Sequence, residues 1–469
     1  MAKIFLFNPP GPENKAFTRE GRCTQEAGAW ATLWPPVTLA TAAAFLEEDG
    51  HTLNVTDYPA LGLSLNNLKD AAAKSRPDFA IWNTGTPTLI SDIAIAETIK
   101  SVSPETITAV MGTHVSVLPA QALSGGSVDL VIRGEPELTI RKICSCGEKE
   151  FTGIPGISFR DKNGDIIHNP DSDFMGPETI PFPAWHHLDI TPYKLPLKNR
   201  PFLIVAPLRG CPFPCSFCTA GIYYGKKLRK RPVNNVIEEI LNNRIKYNVN
   251  DFFIWADTFT ADREYVKEFC SELLSRNIKT SWTCNSRVDT VDGEMLELMK
   301  KAGMWMISFG LESGSDEILK RSKKGIRTMQ SKTAVETAHR LGVITSGHFI
   351  YGLPGETENS MMQTLNFALD LPLDIAQFYA ASPFPGTSLY DEATSEGWLT
   401  ENDSFSQSHA VMELPGLSAK KVGAFRKYSY RKFYLRITAL FRLLKIAGPS
   451  ATTNILYSIK RFSGWVRGL

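Results

Sequence analysis

The sequence has little cysteine and no long apolar run, and both shortages limit what the protein can be. Eight cysteines in 469 residues are too few for a disulfide framework in a chain of this length. No apolar stretch approaches the ~18 residues that indicate a membrane-spanning helix. The first apolar run, Ile4–Phe7, has four residues and is too short for a signal peptide. These features predict a globular protein of the cytoplasm.

Acidic residues are missing from the last part of the chain. From Leu414 to Leu469 there are twelve Lys and Arg and no Asp or Glu. Apolar residues at helical spacing predict one basic amphipathic helix here, with Phe433, Ile437, Leu440, Phe441 and Leu444 on one side. Such a helix either packs over the rest of the protein or contacts an anionic membrane surface. No module with aromatic stacking platforms is recognisable, so nucleic acid is not an expected partner.

Three of the eight cysteines, Cys211, Cys215 and Cys218, lie within eight residues. A structural zinc site normally takes four protein ligands, and the nearest other cysteines, Cys146 and Cys270, are far along the chain. Three thiolates on a four-iron cluster leave one iron without a protein ligand, open to a substrate or cofactor. The loop is interpreted as an iron–sulfur site, with a zinc loop or a chance grouping as the alternatives.

Residues 1–150 alternate short apolar segments with helical patterns, which predicts a doubly wound, flavodoxin-like parallel sheet. The expected strands are Lys3–Phe7, Leu53–Asp57, Phe79–Trp82, Ile107–Met111 and Leu130–Arg133. Ligands of such sheets bind beyond the carboxyl ends of the strands. The loops at those ends are able to approach a large flat or phosphate-bearing ligand closely.

Residues 151–200 are predicted to be a linker, with a hairpin around Asn163–Gly164 and a proline-rich stretch before His186 and His187. Adjacent residues of an extended segment point to opposite sides, so these two histidines are not expected to share a metal ion. Cys144 and Cys146 are interpreted as a helix end, because two ligands alone make no metal site.

Residues 201–395 contain six apolar strands separated by amphipathic helices, which predicts an incomplete (β/α)6 barrel, and residues 396–469 form the helical basic extension. Chemistry in βα barrels collects at the carboxyl ends of the strands. The polar groups there follow the cysteine loop strand by strand: Asp257, Arg287, Glu312 with Ser313, and Tyr351 with Gly352.

The CxxxCxxC spacing, with the aromatic Phe217 before the last cysteine, closely resembles the signature of radical S-adenosylmethionine (SAM) enzymes. The resemblance implies a [4Fe-4S] cluster on Cys211, Cys215 and Cys218. The open iron would chelate SAM, and one electron from a flavodoxin- or ferredoxin-type donor would cleave SAM to a 5′-deoxyadenosyl radical. The SAM-binding residues that it implies are Phe217, Asp257, Arg287, Glu312, Ser313, Tyr351 and Gly352.

The first 150 residues resemble the cobalamin-binding domain that precedes the barrel in one large radical SAM class, in phrases such as Asn8-Pro9-Pro10 and Arg133-Gly134-Glu135. The cobalamin contacts that this implies are Pro9, Thr84, Thr86, Gly112, Thr113, His114, Gly134 and Glu135. The cobalt-ligating motif DxHxxG is absent, because the stretch from Asp49 ends in Asn54 and precedes its strand. Bound cobalamin would therefore lack the histidine of that motif.

Together the two resemblances imply a cobalamin-dependent radical SAM enzyme that methylates an unactivated carbon of a small molecule, with an apolar or lipid-like molecule as one candidate. The alternative within the family is an oxidative cyclase or carbon–carbon coupling enzyme acting on a porphyrin- or lipid-type substrate without methyl transfer. An alternative of another class is a non-catalytic iron–sulfur or cobalamin sensor. A methylthiotransferase is not expected, since the first half lacks three further clustered cysteines.

Overall fold

The computed structural model describes residues 1–21, 23–27, 32–146, 150–195, 198–399 and 405–447. The chain divides into two compact units. The first unit contains Met1–Ala27, Leu33–Tyr193 and the later segment Thr219–Arg229. The second unit contains Lys194–Cys218 and the chain from Lys230 onward. The first unit therefore includes residues that follow the cysteine loop in the chain.

The first unit is built on a seven-stranded sheet in the order β4-β1-β5-β6-β7-β8-β9. The strands β4, β1, β5, β6 and β7 pair in parallel, and β8 and β9 add an antiparallel hairpin. This order confirms the doubly wound fold. The strands of this unit are β1 (Lys3–Asn8), β2 (Phe17–Glu20), β3 (Cys23–Glu26), β4 (Thr52–Asp57), β5 (Phe79–Asn83), β6 (Ile107–Met111), β7 (Leu130–Ile132), β8 (Ile157–Arg160) and β9 (Ile166–His168).

Helices cover the sheet because its central strands, such as β5 and β6, are buried along their whole length and need covering on both faces. On one face the rings of Phe7 and Trp82 stack at 5.3 Å within a cluster that also contains Phe5 and Tyr58. The helices of this unit are α1 (Val37–Glu48), α2 (Tyr58–Leu61), α3 (Leu65–Ser75), α4 (Leu89–Lys100), α5 (Thr113–Val117), α6 (Pro119–Leu123), α7 (Glu137–Ser145) and α8 (Ala220–Tyr223). Cys146 caps the end of α7, which confirms that the Cys144–Cys146 stretch is a helix end.

The hairpin β8–β9 is part of this sheet, although the sequence placed it in a linker. Farther along, Trp185–His187 forms a turn of 3-10 helix and is not extended. The rings of His186 and His187 lie on the same side, with their centroids 4.4 Å apart. The expectation that these two histidines point in opposite directions is therefore wrong, because it assumed a backbone with a two-residue side-chain period.

The second unit is built on a six-stranded parallel sheet in the order β10-β13-β14-β15-β16-β17, which is the order of the strands along the chain. This is the predicted partial (β/α)6 barrel. Its strands are β10 (Phe202–Val205), β13 (Asp251–Ile254), β14 (Ser281–Ser286), β15 (Met304–Glu312), β16 (Ile344–Tyr351) and β17 (Ile375–Ala380), and the two-residue strands β11 (Leu208–Arg209) and β12 (Arg229–Lys230) lie outside this sheet.

Side-chain caps fix where several helices of the second unit begin. Asp262 accepts a hydrogen bond from the Tyr265 N–H, and Asp292 accepts one from the Met295 N–H. Such caps satisfy amide groups that have no partner within the helix. The helices are α9 (Val233–Tyr247), α10 (Arg263–Ser275), α11 (Gly293–Lys301), α12 (Asp316–Arg321), α13 (Thr328–Arg340), α14 (Glu358–Asp370) and α15 (Ser388–Ser395).

The basic extension forms two helices, α16 (Ala419–Tyr434) and α17 (Ile437–Ala447), within the described residues. The sequence predicted one helix with a single apolar side, and this is wrong in two respects. The helix ends at Tyr434, and Phe433 is fully buried whereas Ile437 and Phe441 are about 70% exposed. Helix α16 packs on the edge strand β17, which agrees with the packing interpretation for this part of the extension.

Among the described residues, no helix combines the length and the apolar character that crossing a membrane requires.

Candidate functional site

The cysteine loop begins where β11 ends, and a glycine allows the turn into it. Gly210 has a φ of 88°, a left-handed conformation that residues with a Cβ rarely adopt. Two backbone hydrogen bonds fix the middle of the loop: the Ser216 N–H donates to the Ser322 carbonyl at 3.0 Å, and the Leu389 N–H donates to the Ser216 carbonyl at 2.9 Å. The loop is thus held by two distant segments of the second unit.

The three thiols fit a polynuclear cluster. None of the three cysteines is in a disulfide, Cys211 is buried, and Cys215 and Cys218 are half-buried. Their three sulfur atoms do not all lie within 4.8 Å of one another, which is the spacing of a single-ion site. Thiolates from one loop, spaced more widely than one ion needs, are the donor set that an iron–sulfur cluster uses.

Positive charge lies beside Cys215. Arg287, directly after β14, donates from Nη1 to the Cys215 sulfur at 3.9 Å. Burial raises the pKa of the Cys215 thiol, while the charges of Lys324 and Arg287 act in the opposite direction. A thiolate bound to iron would be favoured by these two cations, because nearby positive charge stabilises the anionic sulfur.

Arg287 is held rigidly. Its guanidinium lies 3.8 Å from the ring centroid of Phe213 and donates two hydrogen bonds to the Asp289 carboxylate at 2.9 and 2.8 Å. A further bond reaches the Lys324 carbonyl at 2.8 Å. The predicted SAM residue Arg287 is therefore brought to the cysteine loop.

Glu312 ends β15 in a strained conformation and forms a buried ion pair. Its φ is 60°, and the pairing of β15 with β16 shifts register between Gly310 and Glu312. A carboxylate oxygen of Glu312 lies 2.6 Å from Lys324 Nζ, and both side chains are less than 10% exposed. Strained backbone of this kind persists where surrounding contacts determine it and is common at functional sites.

Asp257 and Phe217 are both half-buried. The loop after β13 approaches the first cysteine, since the Thr258 hydroxyl lies 3.8 Å from the Cys211 sulfur. Asp257 directly precedes Thr258, so the structure brings the loop of this predicted residue to the cysteines. Phe217 is itself part of the cysteine loop.

Two predicted SAM residues have side chains committed elsewhere. The Ser313 hydroxyl is fully buried and hydrogen-bonded to Thr364 at 3.1 Å. The Tyr351 hydroxyl bonds to Ser429 of α16 at 2.9 Å. Gly352 has a φ of 83° and donates its N–H to the Glu356 carboxylate. The Ser313 and Tyr351 hydroxyls are therefore already hydrogen-bonded within the protein.

In the first unit, the predicted cobalamin residues lie at the carboxyl ends of the parallel strands. His114 is one of them, and each of its ring nitrogens has a hydrogen-bond partner. Nδ1 of His114 lies 3.1 Å from the Thr86 hydroxyl, and Nε2 lies 2.8 Å from Oε1 of Gln121. Burial lowers the pKa of this imidazole below its ordinary value, so the ring is neutral near pH 7. Because both nitrogens already have partners, His114 is not arranged as a metal ligand.

Glu135 is likewise engaged. Both of its oxygens accept hydrogen bonds from Arg229, at 2.9 and 2.6 Å, and the Met175 N–H donates to one of them at 2.9 Å. Gly134 turns the chain with a φ of 71° and donates its N–H to the Ser116 hydroxyl. Glu135 therefore holds segments of the first unit together.

The strand-end loops at Thr84 and Gly112 approach each other closely. A Cβ on Gly112 would lie 2.0 Å from the Thr84 carbonyl oxygen, and the Thr84 N–H donates to the Met111 carbonyl at 2.8 Å. Only glycine permits this contact. Thr113, which begins α5, and Pro9, whose carbonyl accepts a hydrogen bond from Arg19, lie at the same edge of the sheet.

Several polar residues at these sites were not identified from the sequence. Arg19 and Asp92 form a fully buried ion pair at 2.9 Å beside the ends of the strands. Lys324 completes the pair with Glu312. No spacing pattern distinguishes these residues from ordinary surface charges, since their partners are 12 to 73 residues away.

The comparisons with known proteins agree with this geometry. Residues 205–368 match the family model of the radical SAM superfamily. The chain is 30% identical over 417 residues to an uncharacterized methyltransferase of Pyrococcus horikoshii, covering 88% of this chain and 90% of that protein. It is 27% identical over 440 residues to the cytidylyl-2-hydroxyethylphosphonate methyltransferase of Streptomyces wedmorensis, covering 81% of this chain and 82% of the relative.

A solved structure shares the fold. The radical SAM methyltransferase TsrM from Kitasatospora setae, whose structure holds cobalamin and a [4Fe-4S] cluster, superposes with a TM-score of 0.67 over 84% of this chain and 75% of its own, at 14% sequence identity. At that identity the likeness concerns the fold alone. Taken with the family match and the cysteine loop, these findings show that the chain belongs to the radical SAM superfamily and is a radical SAM enzyme with a doubly wound amino-terminal unit.

Proposed function

We propose that this protein is a cobalamin-dependent radical SAM methyltransferase that transfers a methyl group to an unactivated carbon of a small molecule. The observation that supports this best is the arrangement around the cysteine loop. Three thiols, the Arg287 cation and the Glu312–Lys324 pair lie at the carboxyl ends of β10, β14 and β15, where barrel enzymes place their chemistry. The fold of the first unit and the methyltransferase names of the relatives support the methyl transfer.

Cys211, Cys215 and Cys218 would hold a [4Fe-4S] cluster, which supplies the electron for cleavage of SAM. The Arg287 guanidinium provides fixed positive charge beside Cys215 for the SAM carboxylate. Asp257 and Glu312 provide acceptor oxygens for the SAM amino group and ribose hydroxyls. Since Lys324 neutralises Glu312, that carboxylate accepts hydrogen bonds without leaving an unpaired buried charge.

Cobalamin, which supplies the methyl group when bound, would lie at the strand ends of the first unit. The glycine turn at Gly134, where a Cβ would meet open space, and the polar atoms of Thr84 and Thr86 suit close approach of a large planar ligand. Since both nitrogens of His114 are hydrogen-bonded within the protein, we propose that His114 would not supply a ligand to the cobalt of bound cobalamin. This matches the missing DxHxxG motif.

The substrate is proposed to be a small molecule, and the electron to come from a flavodoxin- or ferredoxin-type protein. Peripheral membrane contact is proposed through α17, where Ile437, Phe441 and Leu444 are 70, 68 and 43% exposed. Arg436 and Arg442 already donate to the carbonyls of Leu369 and Leu373, so part of the basic charge serves packing. Sedimentation with anionic vesicles that weakens with salt would support this contact, and no binding at low salt would contradict it.

The proposal is tested first by SAM cleavage. Cluster-loaded protein, reduced anaerobically, is expected to produce 5′-deoxyadenosine, and Cys215→Ala is expected to reduce this product to background. Cys146→Ala, which changes a thiol at the end of α7, is the matched control and should behave as wild type. If the wild type yields no 5′-deoxyadenosine, the protein is a non-catalytic cluster or cobalamin protein.

The second test asks about the reaction. Protein purified from cells supplied with cobalamin is incubated with SAM carrying an isotopically labelled methyl group and a cell extract. Label that enters a small molecule only when the protein and cobalamin are both present supports methyl transfer. Formation of 5′-deoxyadenosine with an unlabelled product would instead indicate an oxidative cyclase or a coupling enzyme.

A further inference from the structure

A group of metal-ligating side chains lies on the surface of the first unit, apart from the strand ends that carry the predicted cobalamin residues. Nε2 of His186 lies 2.9 Å from Oε1 of Glu47, and Nε2 of His187 lies 3.5 Å from the same oxygen. The three ligand atoms all lie within 4.8 Å of one another. Tetrahedral zinc, with ligand bonds of about 2.1 Å, separates its ligand atoms by about 3.4 Å, which falls within this range.

The local backbone explains why adjacent histidines converge. Trp185–His187 is a turn of 3-10 helix, in which the His187 N–H donates to the Ala184 carbonyl at 3.1 Å. The two imidazoles consequently stand side by side, with their ring centroids 4.4 Å apart. The Nε2 atoms of both rings lie within 3.5 Å of one carboxylate oxygen of Glu47. A divalent cation would engage all three groups together.

The two elements that carry these ligands are held in fixed positions. The Ala184 N–H donates to the Ala40 carbonyl of α1 at 2.9 Å, and the Trp185 side chain is fully buried. Glu47 stands near the end of α1, whose residues from Val37 to Leu46 are all buried. Ligands mounted on rigid elements lose little conformational entropy when a metal ion binds.

The group is both accessible and suitably charged. The side chains of Glu47, His186 and His187 are 50, 35 and 25% exposed, so an ion can reach them from solvent. Glu47 supplies the single carboxylate of the group. The neighbouring carboxylates Glu48 and Asp49 pair with Arg141 and do not belong to the group.

We propose that Glu47, His186 and His187 form a binding site for one divalent transition metal ion, with Zn²⁺ as the best match. Two imidazole nitrogens and one carboxylate oxygen are the ligands that zinc takes in three-ligand sites, where water completes the coordination. The ion would link the end of α1 to the 3-10 turn. This site is independent of the proposed methyl transfer, because it shares no residue with the cysteine loop or the strand ends.

The test is a calorimetric titration of Zn²⁺ into full-length, cluster-loaded protein that has been dialysed against a mild chelator. We expect one ion per chain, and X-ray absorption at the zinc edge should show nitrogen and oxygen ligands without sulfur. Glu47→Gln should weaken binding at least about tenfold, and the double variant His186→Gln/His187→Gln should lose the ion. The matched controls Glu48→Gln and His168→Gln should bind zinc as the wild type does.

Three results would overturn the site: no zinc binding by the wild type, sulfur ligands alone in the absorption spectrum, or unchanged stoichiometry and affinity in the double histidine variant. The absorption measurement is made on the wild type and so does not depend on how the variants fold. SAM cleavage should be the same in the double variant as in the wild type, which separates failure of this site from failure of the proposed activity.

Discussion

Gly310 controls the space in which Glu312 and Lys324 pair. A Cβ at this position would lie 2.5 Å from the Glu312 carboxylate and 2.7 Å from Lys324 Nζ. Both atoms are at the ends of flexible side chains, so Gly310→Ala should displace the pair and leave the fold intact. We expect the affinity for SAM to fall about tenfold, which corresponds to about 1.4 kcal/mol, as measured by equilibrium dialysis with cluster-loaded protein.

The control for this substitution is Gly293→Ala. A Cβ there would meet only a methyl group of Thr337 at 3.5 Å, which is an ordinary contact. Both variants should keep the absorbance of the iron–sulfur cluster. If Gly310→Ala binds SAM as tightly as the wild type, the Glu312–Lys324 pair does not contribute to SAM binding.

Asp57, at the end of β4, should make the stability of the first unit depend on pH. Burial raises the pKa of this carboxyl from 3.8 to about 6, although the Tyr193 hydroxyl donates a hydrogen bond to it at 2.6 Å. The folded state therefore holds the proton more tightly than the unfolded state. The free energy of unfolding should fall as the pH rises from about 4 to about 6, by up to about 3 kcal/mol.

Asp57→Asn removes the titrating group and should remove this fall, as measured by chemical denaturation at several pH values. Tyr193→Phe serves as a second variant, because it deletes the donor that stabilises the carboxylate. In Tyr193→Phe the fall in the free energy of unfolding should extend to higher pH. Equal pH dependence in the wild type and Asp57→Asn would show that Asp57 does not titrate in this range.

At the scale of single residues, the sequence identified the groups that follow a repeated pattern. The cysteine spacing marks its own loop, Arg287 directly follows a recognisable strand, and Glu312 ends another. The directions of the Ser313 and Tyr351 side chains were not predictable, because they depend on Thr364 and Ser429, which are 51 and 78 residues farther along the chain. The ion pair of Lys324 with Glu312 was not predictable either, because its two residues are 12 positions apart in the chain.

At the scale of elements, α16 protects an edge of the second sheet. Strand β17 is the last strand in the sheet order and, in the part of the chain that the structure describes, has no neighbouring strand on one side. Tyr434 of α16 accepts a hydrogen bond from the Ala376 N–H at 3.1 Å and donates to the Ala376 carbonyl at 2.8 Å, and Tyr430 accepts one from the Phe378 N–H at 3.0 Å. An uncovered edge strand is a template for aggregation.

Tyr434→Phe should therefore destabilise the second unit, because it leaves both backbone groups of Ala376 buried without these bonds. We expect the free energy of unfolding to fall by about 1–3 kcal/mol in chemical denaturation. Tyr428→Phe, on the same helix but 40% exposed, is the control and should change stability little. A loss of the same size in both variants would mean that the effect does not come from the edge strand.

The strands and helices themselves were largely predictable, since apolar runs and helical periods repeat in register along both halves of the chain. The helix boundary within the basic extension was not predictable. The helical spacing of apolar residues continues past Leu435 and Arg436, whereas helix α16 ends at Tyr434. There Arg436 donates to the Phe433 carbonyl at 3.0 Å and to the Leu369 carbonyl at 2.7 Å, and these are contacts that no local pattern shows.

At the scale of the whole molecule, the two units are built on separate main sheets. We expect two transitions in thermal unfolding, one for each unit. A ligand raises the stability of the unit that binds it by mass action, by about 2.7 kcal/mol at a hundred times its dissociation constant. SAM should therefore raise one transition and cobalamin the other.

The two transition temperatures are measured by differential scanning calorimetry of the cluster-loaded protein, with each ligand added separately. A single transition, or a shift of both transitions by one ligand, would contradict independent binding by the two units. Cys215→Ala, which weakens the hold on the cluster, should remove the SAM-induced shift while the cobalamin-induced shift remains.

The segment Thr219–Arg229 has a consequence for how the protein is made. Glu135 is nearly buried, and its bidentate partner Arg229 is translated 94 residues later, after the first barrel strand and the cysteine loop. On the ribosome, the first unit can therefore form this ion pair only after residue 229 has emerged. A fragment that ends at the proline-rich stretch before His186 would therefore lack Thr219–Arg229, the last segment of the first unit.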